Sequence, residues 1–146
     1  MKAIIIYDSL YGNTGEIARS IGNAVGNETR VVKVNEANPA ELSAFDFFFV
    51  GAPTQGGRPT KAMQAFLDSV PESVLKGKKT AVFDTRLSTK LVGIFGYAAG
   101  RMSDTLRKKG ALVLGVEGFF VTGKESSLKD GELARAANWA AEIVKK

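Results

Sequence analysis

Short apolar runs alternate with amphipathic stretches along the whole chain, and this alternation is the strongest constraint on the fold. A continuous apolar run is typical of a strand that is covered on both faces. The predicted strands are residues 3–7, 31–34, 45–50, 80–83 and 111–121, the last either interrupted or split into 111–116 and 119–121. Helical spacing of apolar residues predicts helices over 17–25, 63–70, 97–109 and 131–145. Five strands that alternate with helices predict an α/β fold with a doubly wound, five-stranded parallel sheet.

The length and composition fit one domain. The chain has 146 residues, of which 45% are hydrophobic, and no linker divides it, so we expect a single domain over residues 1–146. No stretch approaches the roughly 18 apolar residues that span a bilayer, and the first apolar run is too short for a signal peptide. We therefore expect a cytoplasmic protein with no membrane partner.

Two absent residue types restrict the chemistry. Without Cys, the chain has no disulfide, no thiolate nucleophile and no cysteine ligand for an iron–sulfur cluster. Without His, it lacks the commonest metal ligand and the usual base at neutral pH. No catalytic or metal-binding residue is predicted, and any redox chemistry requires a bound organic cofactor.

The chain carries a net charge of +5, with a pI near 9.5. Such a charge either attracts an acidic partner, a nucleic acid or a membrane surface, or is only a solvated surface with slightly more Lys than Glu. The basic residues are not interleaved with aromatic ones as they are in proteins that bind single strands. We therefore expect no nucleic-acid partner.

The segment after the first strand has the composition of an anion-binding turn. Residues 8–15 combine hydroxyls, an amide and two glycines, and they contain no Lys or Arg. Glycine lets a ligand approach the backbone closely, and the free N–H groups and dipole at a helix start favour an anion. The alternative is a simple turn in which Asn13 or Thr14 is the helix N-cap.

Two longer segments follow the next two buried strands. Residues 51–60 contain two prolines and three glycines, and the segment is longer than the usual strand-to-helix connection of about 2–6 residues. In it, Thr54 and Gln55 can hydrogen-bond a planar heterocycle. The alternative is a plain connection in which Thr60 caps the next helix. Residues 84–97 mix apolar and polar side chains, which suits either the wall of a pocket for a flat ligand or a loop buried under its own side chains.

The sequence Ser9-Leu10-Tyr11-Gly12-Asn13-Thr14 resembles the flavodoxin phosphate signature, Ser/Thr-x-Thr/Tyr-Gly-Asn-Thr, and it lies directly after the first strand. Gly51-Ala52-Pro53-Thr54 resembles the second flavin loop of that family, and the ending with Trp139 resembles its short-chain form. The resemblance implies a flavodoxin-like three-layer sandwich with strand order 2-1-3-4-5 and FMN as the cofactor. The FMN-binding residues that it implies are Ser9, Leu10, Tyr11, Gly12, Asn13, Thr14, Pro53, Thr54, Gln55, Gly56, Gly57, Asp84, Thr85, Arg86, Leu87 and Tyr97.

The resemblance implies a flavoprotein that shuttles electrons between redox partner proteins, rather than an enzyme with its own substrate. The alternative is an FMN-dependent NAD(P)H:quinone oxidoreductase of the same fold. Response regulators share the fold but need an acidic cluster, and phosphotyrosine phosphatases need a Cys nucleophile. Residues 118–124 mimic the spacing of a P-loop, but Glu125 replaces the Ser/Thr that binds Mg²⁺.

The sequence departs from the family in charge and in flavin stacking. Typical flavodoxins are acidic and often stack the flavin on a Trp of the second loop, where Gln55 or Gly56 stands here. Arg58, Arg86 and Lys90 lie in segments where the family usually has acidic residues. Because cations stabilise the anionic reduced FMN, we predict a less negative potential for the second electron than in acidic flavodoxins. We also expect the redox partner to have an acidic docking surface.

Overall fold

Five parallel strands form one sheet in the computed structural model, which describes residues 1–26, 28–87, 96–123 and 127–146. The strands are β1 (Ala3–Tyr7), β2 (Thr29–Lys33), β3 (Phe47–Pro53), β4 (Lys79–Leu87) and β5 (Leu112–Val121). Their order is β2-β1-β3-β4-β5, and each neighbouring pair is parallel. The structure therefore confirms the predicted fold class, including the strand order 2-1-3-4-5.

Two strands extend beyond their apolar runs. β3 continues to Pro53, which pairs with Thr85 of β4, and β4 continues to Leu87, which pairs with Val121 of β5. Each strand keeps a parallel partner along this extension, and the ladder hydrogen bonds hold it extended although its residues are partly polar. The prediction that residues 84–87 begin a loop is therefore wrong.

The last strand is continuous. Thr80 pairs with Val113 and Ala81 pairs with Gly115, so β5 has one extra residue at this point. Such a bulge lets a strand continue through a local irregularity. Of the two predicted forms of this segment, the single interrupted strand is the correct one.

The helices cover both faces of the sheet. They are α1 (Asn13–Val25), α2 (Lys61–Ser69), α3 (Glu72–Leu75), α4 (Ala98–Lys108) and α5 (Glu132–Ile143), with 3₁₀ turns at Val34–Glu36 and Pro39–Ala44. Thr60 caps α2, as the alternative interpretation of residues 51–60 predicted, because its Oγ1 accepts a hydrogen bond from the Met63 amide at 3.3 Å. At the other end of α2, Lys109 Nζ donates to the carbonyls of Leu67 and Asp68 within 2.8 Å. Both ends of α2 are thus satisfied.

Each face of the sheet carries its own apolar layer. Ile4 and Ile6 of β1 are buried in the layer that contains Met63 of α2 and Met102 of α4. Ile5 is buried in the opposite layer, which α1 and α5 cover. Because side chains alternate between the two faces of a strand, burial on both faces explains the continuous apolar run. Among the described residues, none of the helices has the length and apolarity that a bilayer span requires.

The layer under α5 is built around one tryptophan. The Trp139 ring meets the rings of Phe49, Phe83 and Phe119 edge to face, with centroids 5.9, 6.4 and 5.8 Å away. Gly51 of β3 leaves room for this cluster, since a Cβ atom there would lie 2.1 Å from the Phe83 ring. This packing holds the centre of the sheet rigid below its carboxyl edge.

Candidate functional site

A pocket opens at the carboxyl edge of the sheet, beyond the ends of β1, β3 and β4. Open α/β sheets bind ligands at this edge. The ligand lies at the switch point, where the connections that leave two neighbouring strands go to opposite faces of the sheet. The described residues that line the pocket are Ser9, Leu10, Tyr11, Asn13, Thr14, Pro53, Thr54, Gln55, Thr85, Arg86, Leu87, Val121 and Gly123. The predicted site residues that lie outside this lining are Gly12, Gly56, Gly57, Asp84 and Tyr97.

Two lining residues were not predicted. Val121 ends β5 and Gly123 follows it. The signal that could have found them is topological, because the carboxyl end of a fifth parallel strand reaches the same edge as the others. The apolar pattern of residues 111–121 predicted only a strand.

The turn from β1 into α1 is capped by a glycine. Gly12 is the N-cap of α1, with a φ of 91°, a conformation that favours glycine. Its amide donates to Ser9 Oγ at 3.0 Å. The alternative prediction of Asn13 or Thr14 as the N-cap is therefore wrong. Gly12 has no side chain with which to cap α1, and the first amides of a helix have no acceptor within the helix.

Two side-chain hydrogen bonds fix this turn against its neighbours. The hydroxyls of Thr14 and Thr85 lie 2.8 Å apart and are buried, which joins α1 to β4. The Asp8 carboxylate accepts hydrogen bonds from the Ser9 amide at 2.9 Å and from the Thr60 hydroxyl at 2.5 Å, which joins the turn to α2. The donors of the turn are thus held in place by both adjacent segments.

Residues 55–58 form a tight turn at the end of β3. The Gln55 amide donates to the Arg58 carbonyl at 2.8 Å, and the Arg58 amide donates back to the Gln55 carbonyl at 3.0 Å. Gly56 and Gly57 both have positive φ, 55° and 79°, which is typical of a type I′ turn. The second predicted loop therefore contains a tight turn with two glycines at its centre.

Helix α4 and strand β4 hold this turn from outside. Arg101 Nε of α4 donates to the Gly57 carbonyl at 2.8 Å. Thr54 Oγ1 accepts a hydrogen bond from the Ala98 amide at 3.0 Å, and the Thr54 amide donates to the Thr85 carbonyl at 2.9 Å. The start of α4 and one wall of the pocket are thus a single hydrogen-bonded unit.

Asp84 lies beneath the pocket rather than in its lining. Its carboxylate is fully buried and accepts two hydrogen bonds from the Arg86 guanidinium, at 2.7 and 2.8 Å, and one from the Ala99 amide at 2.9 Å. The Tyr97 ring stacks on the same guanidinium at 3.5 Å. Gly118 leaves room for the Arg86 side chain, since a Cβ atom at residue 118 would lie 2.3 Å from Arg86 Nε. In this structure, Asp84 and Tyr97 position Arg86, which does line the pocket.

The part of the pocket lining that the structure describes is close to neutral. In the described part of the chain its only charged lining residue is Arg86, and the Asp84 carboxylate compensates that charge. Arg58 is exposed and lies outside the lining. Lys90 and Phe95 lie outside the described residues. Of the three cations that the sequence placed near the flavin, one is therefore ion-paired and one lies beyond the pocket lining.

The lining combines uncharged hydrogen-bond donors with apolar walls, so it suits a flat ligand that carries an anionic group. The residues of the turn from β1 to α1 that line the pocket carry hydroxyls and an amide, and Pro53 and Leu87 contribute apolar surface to the same lining. The arrangement is typical of mononucleotide-binding α/β proteins, which bind their ligand at the switch point of the sheet.

Comparisons with known proteins agree with this class. The family model described as "Flavodoxin domain" matches residues 4–127. The flavodoxin of Maridesulfovibrio salexigens is 30% identical over 78% of this chain and 82% of its own length. A diflavin flavoprotein of Synechocystis sp. is 33% identical over 66% of this chain. The alignment covers 15% of that relative's length, and related diflavin flavoproteins are covered over 16% and 25% of theirs.

A solved structure supports the fold. The structure described as a flavodoxin from the domain Archaea superposes with a TM-score of 0.83 over 99% of this chain and 97% of its own, at 23% identity. The chain belongs to the flavodoxin family. Family membership indicates FMN as the cofactor.

The residues present fit FMN. A phosphate needs donors, and the turn from β1 to α1 brings hydroxyls and the start of a helix to the pocket, with no carboxylate among the described lining residues. Ser9 Oγ accepts one hydrogen bond from Gly12 and still has its own hydrogen to donate. The described lining has no Trp or His, and its one aromatic residue is Tyr11, which is 76% exposed.

Proposed function

We propose that this protein is a single-domain electron carrier that binds FMN and exchanges electrons with redox partner proteins. The observation that carries the proposal is the pocket at the switch point, whose anion-binding end consists of uncharged donors at the start of α1. The chemistry of one- and two-electron transfer belongs to FMN when it is bound. The described lining contains no Cys, His or unpaired carboxylate to act on a substrate of its own.

The first turn would hold the phosphate. Ser9 and Thr14 supply hydroxyls, Asn13 supplies an amide, and the backbone at Gly12 gives the turn its shape. The dipole of α1 adds to the attraction for the anion. Leu10 and Tyr11 project from the same turn and are exposed, so they would border the flavin.

The remaining site residues would hold the ring system. Pro53, Thr54 and Gln55 form one wall, and the turn at residues 56–57 fixes the position of that wall. Thr85, Arg86 and Leu87 at the end of β4 line the pocket as well. These residues orient the ring and exclude water from one side of it, while Asp84 and Tyr97 hold Arg86 in place.

The partners of this carrier would present an acidic surface. The net charge of +5 favours association with a negatively charged protein, because long-range attraction raises the rate of encounter. The proposal includes a cytoplasmic location, which fractionation of cells that express the natural protein would test.

Binding of FMN against riboflavin tests the proposal. We expect purified protein to bind FMN far more tightly than riboflavin, measured by quenching of flavin fluorescence, because only FMN has the phosphate. Ser9→Ala and Asn13→Ala should weaken FMN binding and leave riboflavin binding nearly unchanged. Ser43→Ala, which removes an exposed hydroxyl far from the pocket, is the matched control. Equal affinity for the two flavins would contradict the proposal.

NAD(P)H oxidation separates the carrier from its rival. The FMN-loaded protein should oxidise NADH and NADPH slowly, with or without a quinone acceptor, because it would depend on a partner for electrons. Turnover with a quinone and a saturable dependence on NADPH would identify the FMN-dependent NAD(P)H:quinone oxidoreductase instead.

A further inference from the structure

A basic cleft lies between α2 and α4, next to the turn at residues 55–58. Its walls carry four cationic side chains and one carboxylate, which are Arg58, Lys61, Arg101, Lys108 and Asp104. All five side chains are exposed. The cleft therefore concentrates a substantial share of the excess positive charge of the chain on one face.

Among the described residues, no carboxylate forms an ion pair with any of the four cations of this cleft. Arg30, Arg86 and Arg135 each pair with a carboxylate of the chain. Exposed cations that are not neutralised within the chain attract an anionic partner from solution.

The cleft is joined directly to the wall of the pocket. Arg101 is in the cleft, and its Nε donates to the Gly57 carbonyl at 2.8 Å. That single bond leaves the two terminal nitrogens of the guanidinium for other acceptors. A protein bound in the cleft would therefore lie against the segment that we propose to face the flavin.

The spacing of the charges favours a protein segment over a small anion. Arg101 and Lys108 are separated by two turns of α4, which is about 10.5 Å along the helix. Asp104 lies between them, so a compact polyphosphate that bridged both cations would also meet a negative charge. Carboxylates spaced along a polypeptide can reach the separate cations without that repulsion.

We propose that the cleft between α2 and α4 binds an acidic segment of the protein that exchanges electrons with the bound FMN. This docking site rests on the proposed function, and it gives the expected acidic partner a defined place beside the flavin. Charge complementarity there sets the orientation of the partner as well as the rate of encounter.

The test is an NMR titration of the FMN-loaded, ¹⁵N-labelled protein with a short poly-L-glutamate peptide and, separately, with inorganic triphosphate. We compare the wild type with Lys61→Glu/Lys108→Glu and with Lys2→Glu/Lys76→Glu. The second double variant makes the same change in net charge at exposed lysines before β1 and β4, at the opposite edge of the sheet. Absorbance and thermal unfolding establish first that each variant binds FMN and is folded.

We expect the peptide to shift amide signals of α2 and α4, and its affinity to fall roughly tenfold or more in Lys61→Glu/Lys108→Glu and much less in the control. An equal loss of peptide affinity in both double variants would show that only the net charge of the protein matters, and it would overturn the proposal. Tighter binding of triphosphate than of the peptide in the cleft would assign a small-anion site instead. A protein that holds FMN but does not bind the peptide contradicts the docking site alone, whereas failure to bind FMN contradicts the proposed function and the docking site with it.

Discussion

The hydroxyl of Thr14, in the first turn of α1, lies 2.8 Å from the hydroxyl of Thr85, near the end of β4. Both residues are buried, with 1% and 5% of their surface exposed. This hydrogen bond links two segments that are far apart in sequence, and both segments line the pocket. The turn from β1 to α1 and the end of β4 are therefore joined by a direct buried contact.

Thr14→Val and Thr85→Val test this contact. Each single variant leaves one buried hydroxyl without its partner, and we expect the free energy of unfolding to fall by about 1–3 kcal/mol. The double variant should lose less than the sum of the two, because it removes both hydroxyls. Urea denaturation measures all three, with the exposed Ser43→Ala as the reference. Additive losses would show that the two hydroxyls do not interact.

The buried ion pair of Asp84 and Arg86 should set the potential of the second electron. Asp84→Asn leaves the Arg86 cation uncompensated at the pocket, so the potential should become less negative, by about 30–60 mV. Arg86→Gln leaves the carboxylate uncompensated and should shift the potential the other way. Redox titration of the FMN-loaded proteins measures both shifts, and the wild type should be less negative than acidic flavodoxins. Shifts of the same sign in the two variants would exclude this electrostatic explanation.

Glu132, at the start of α5, should contribute to stability only above mildly acidic pH. The Arg135 guanidinium hydrogen-bonds the carboxylate at 2.6 Å and lowers the pKa of Glu132 below its usual 4.5, against the opposing effect of burial. A carboxyl with a lowered folded-state pKa stabilises the protein above its unfolded pKa, and the contribution is lost as the pH falls through the folded value.

Glu132→Gln should therefore unfold more easily than the wild type at pH 7, by about 1 kcal/mol. This difference in the free energy of unfolding should begin to shrink as the pH falls below about 4.5. It should continue to shrink as the pH falls through the lower folded-state pKa of Glu132. Urea denaturation over a range of pH measures it. Glu142→Gln, which alters an exposed ion pair with Lys145, should show little difference at any pH. A Glu132→Gln difference that does not change with pH would rule out the linkage.

Two glycine-to-alanine changes should have opposite signs. At Gly51 a Cβ atom would lie 2.1 Å from the Phe83 ring, so Gly51→Ala should destabilise the protein by about 1–3 kcal/mol. At Gly100, in α4, nothing lies within 4 Å of the corresponding position, so Gly100→Ala should stabilise it by about 0.5–1 kcal/mol. Thermal unfolding compares the two, and a tolerated Gly51→Ala would mean that the aromatic cluster can rearrange.

The periodicity of the sequence predicted the elements well but not their ends. Apolar runs stop at Phe83, so Asp84 was assigned to a loop, yet β4 continues to Leu87 because its backbone pairs with β3 as far as Thr85 and with β5 as far as Leu87. The Asp84 charge is acceptable there because Arg86 and the Ala99 amide compensate it. Such compensation comes from tertiary neighbours, which local patterns do not reveal.

The part of the candidate site that a local sequence motif forms could be predicted from the sequence. The motif at residues 9–14 was correctly placed at the start of α1, but the capping residue is Gly12, because the Thr14 hydroxyl bonds to Thr85 instead of capping the helix. The contribution of Val121 and Gly123 depends on how β5 meets the other strands. Residue composition does not contain that information.

The position of Trp139 makes it an intrinsic fluorescence probe of this protein. It is the only indole in the chain, and it touches aromatic rings of β3, β4 and β5 while belonging to α5. Its fluorescence therefore monitors only the apolar layer between α5 and the sheet. A red shift of the emission maximum would indicate that α5 has separated from the sheet. Energy transfer from the same indole to a bound isoalloxazine would dim that emission, so one chromophore reads out both occupancy and layer integrity.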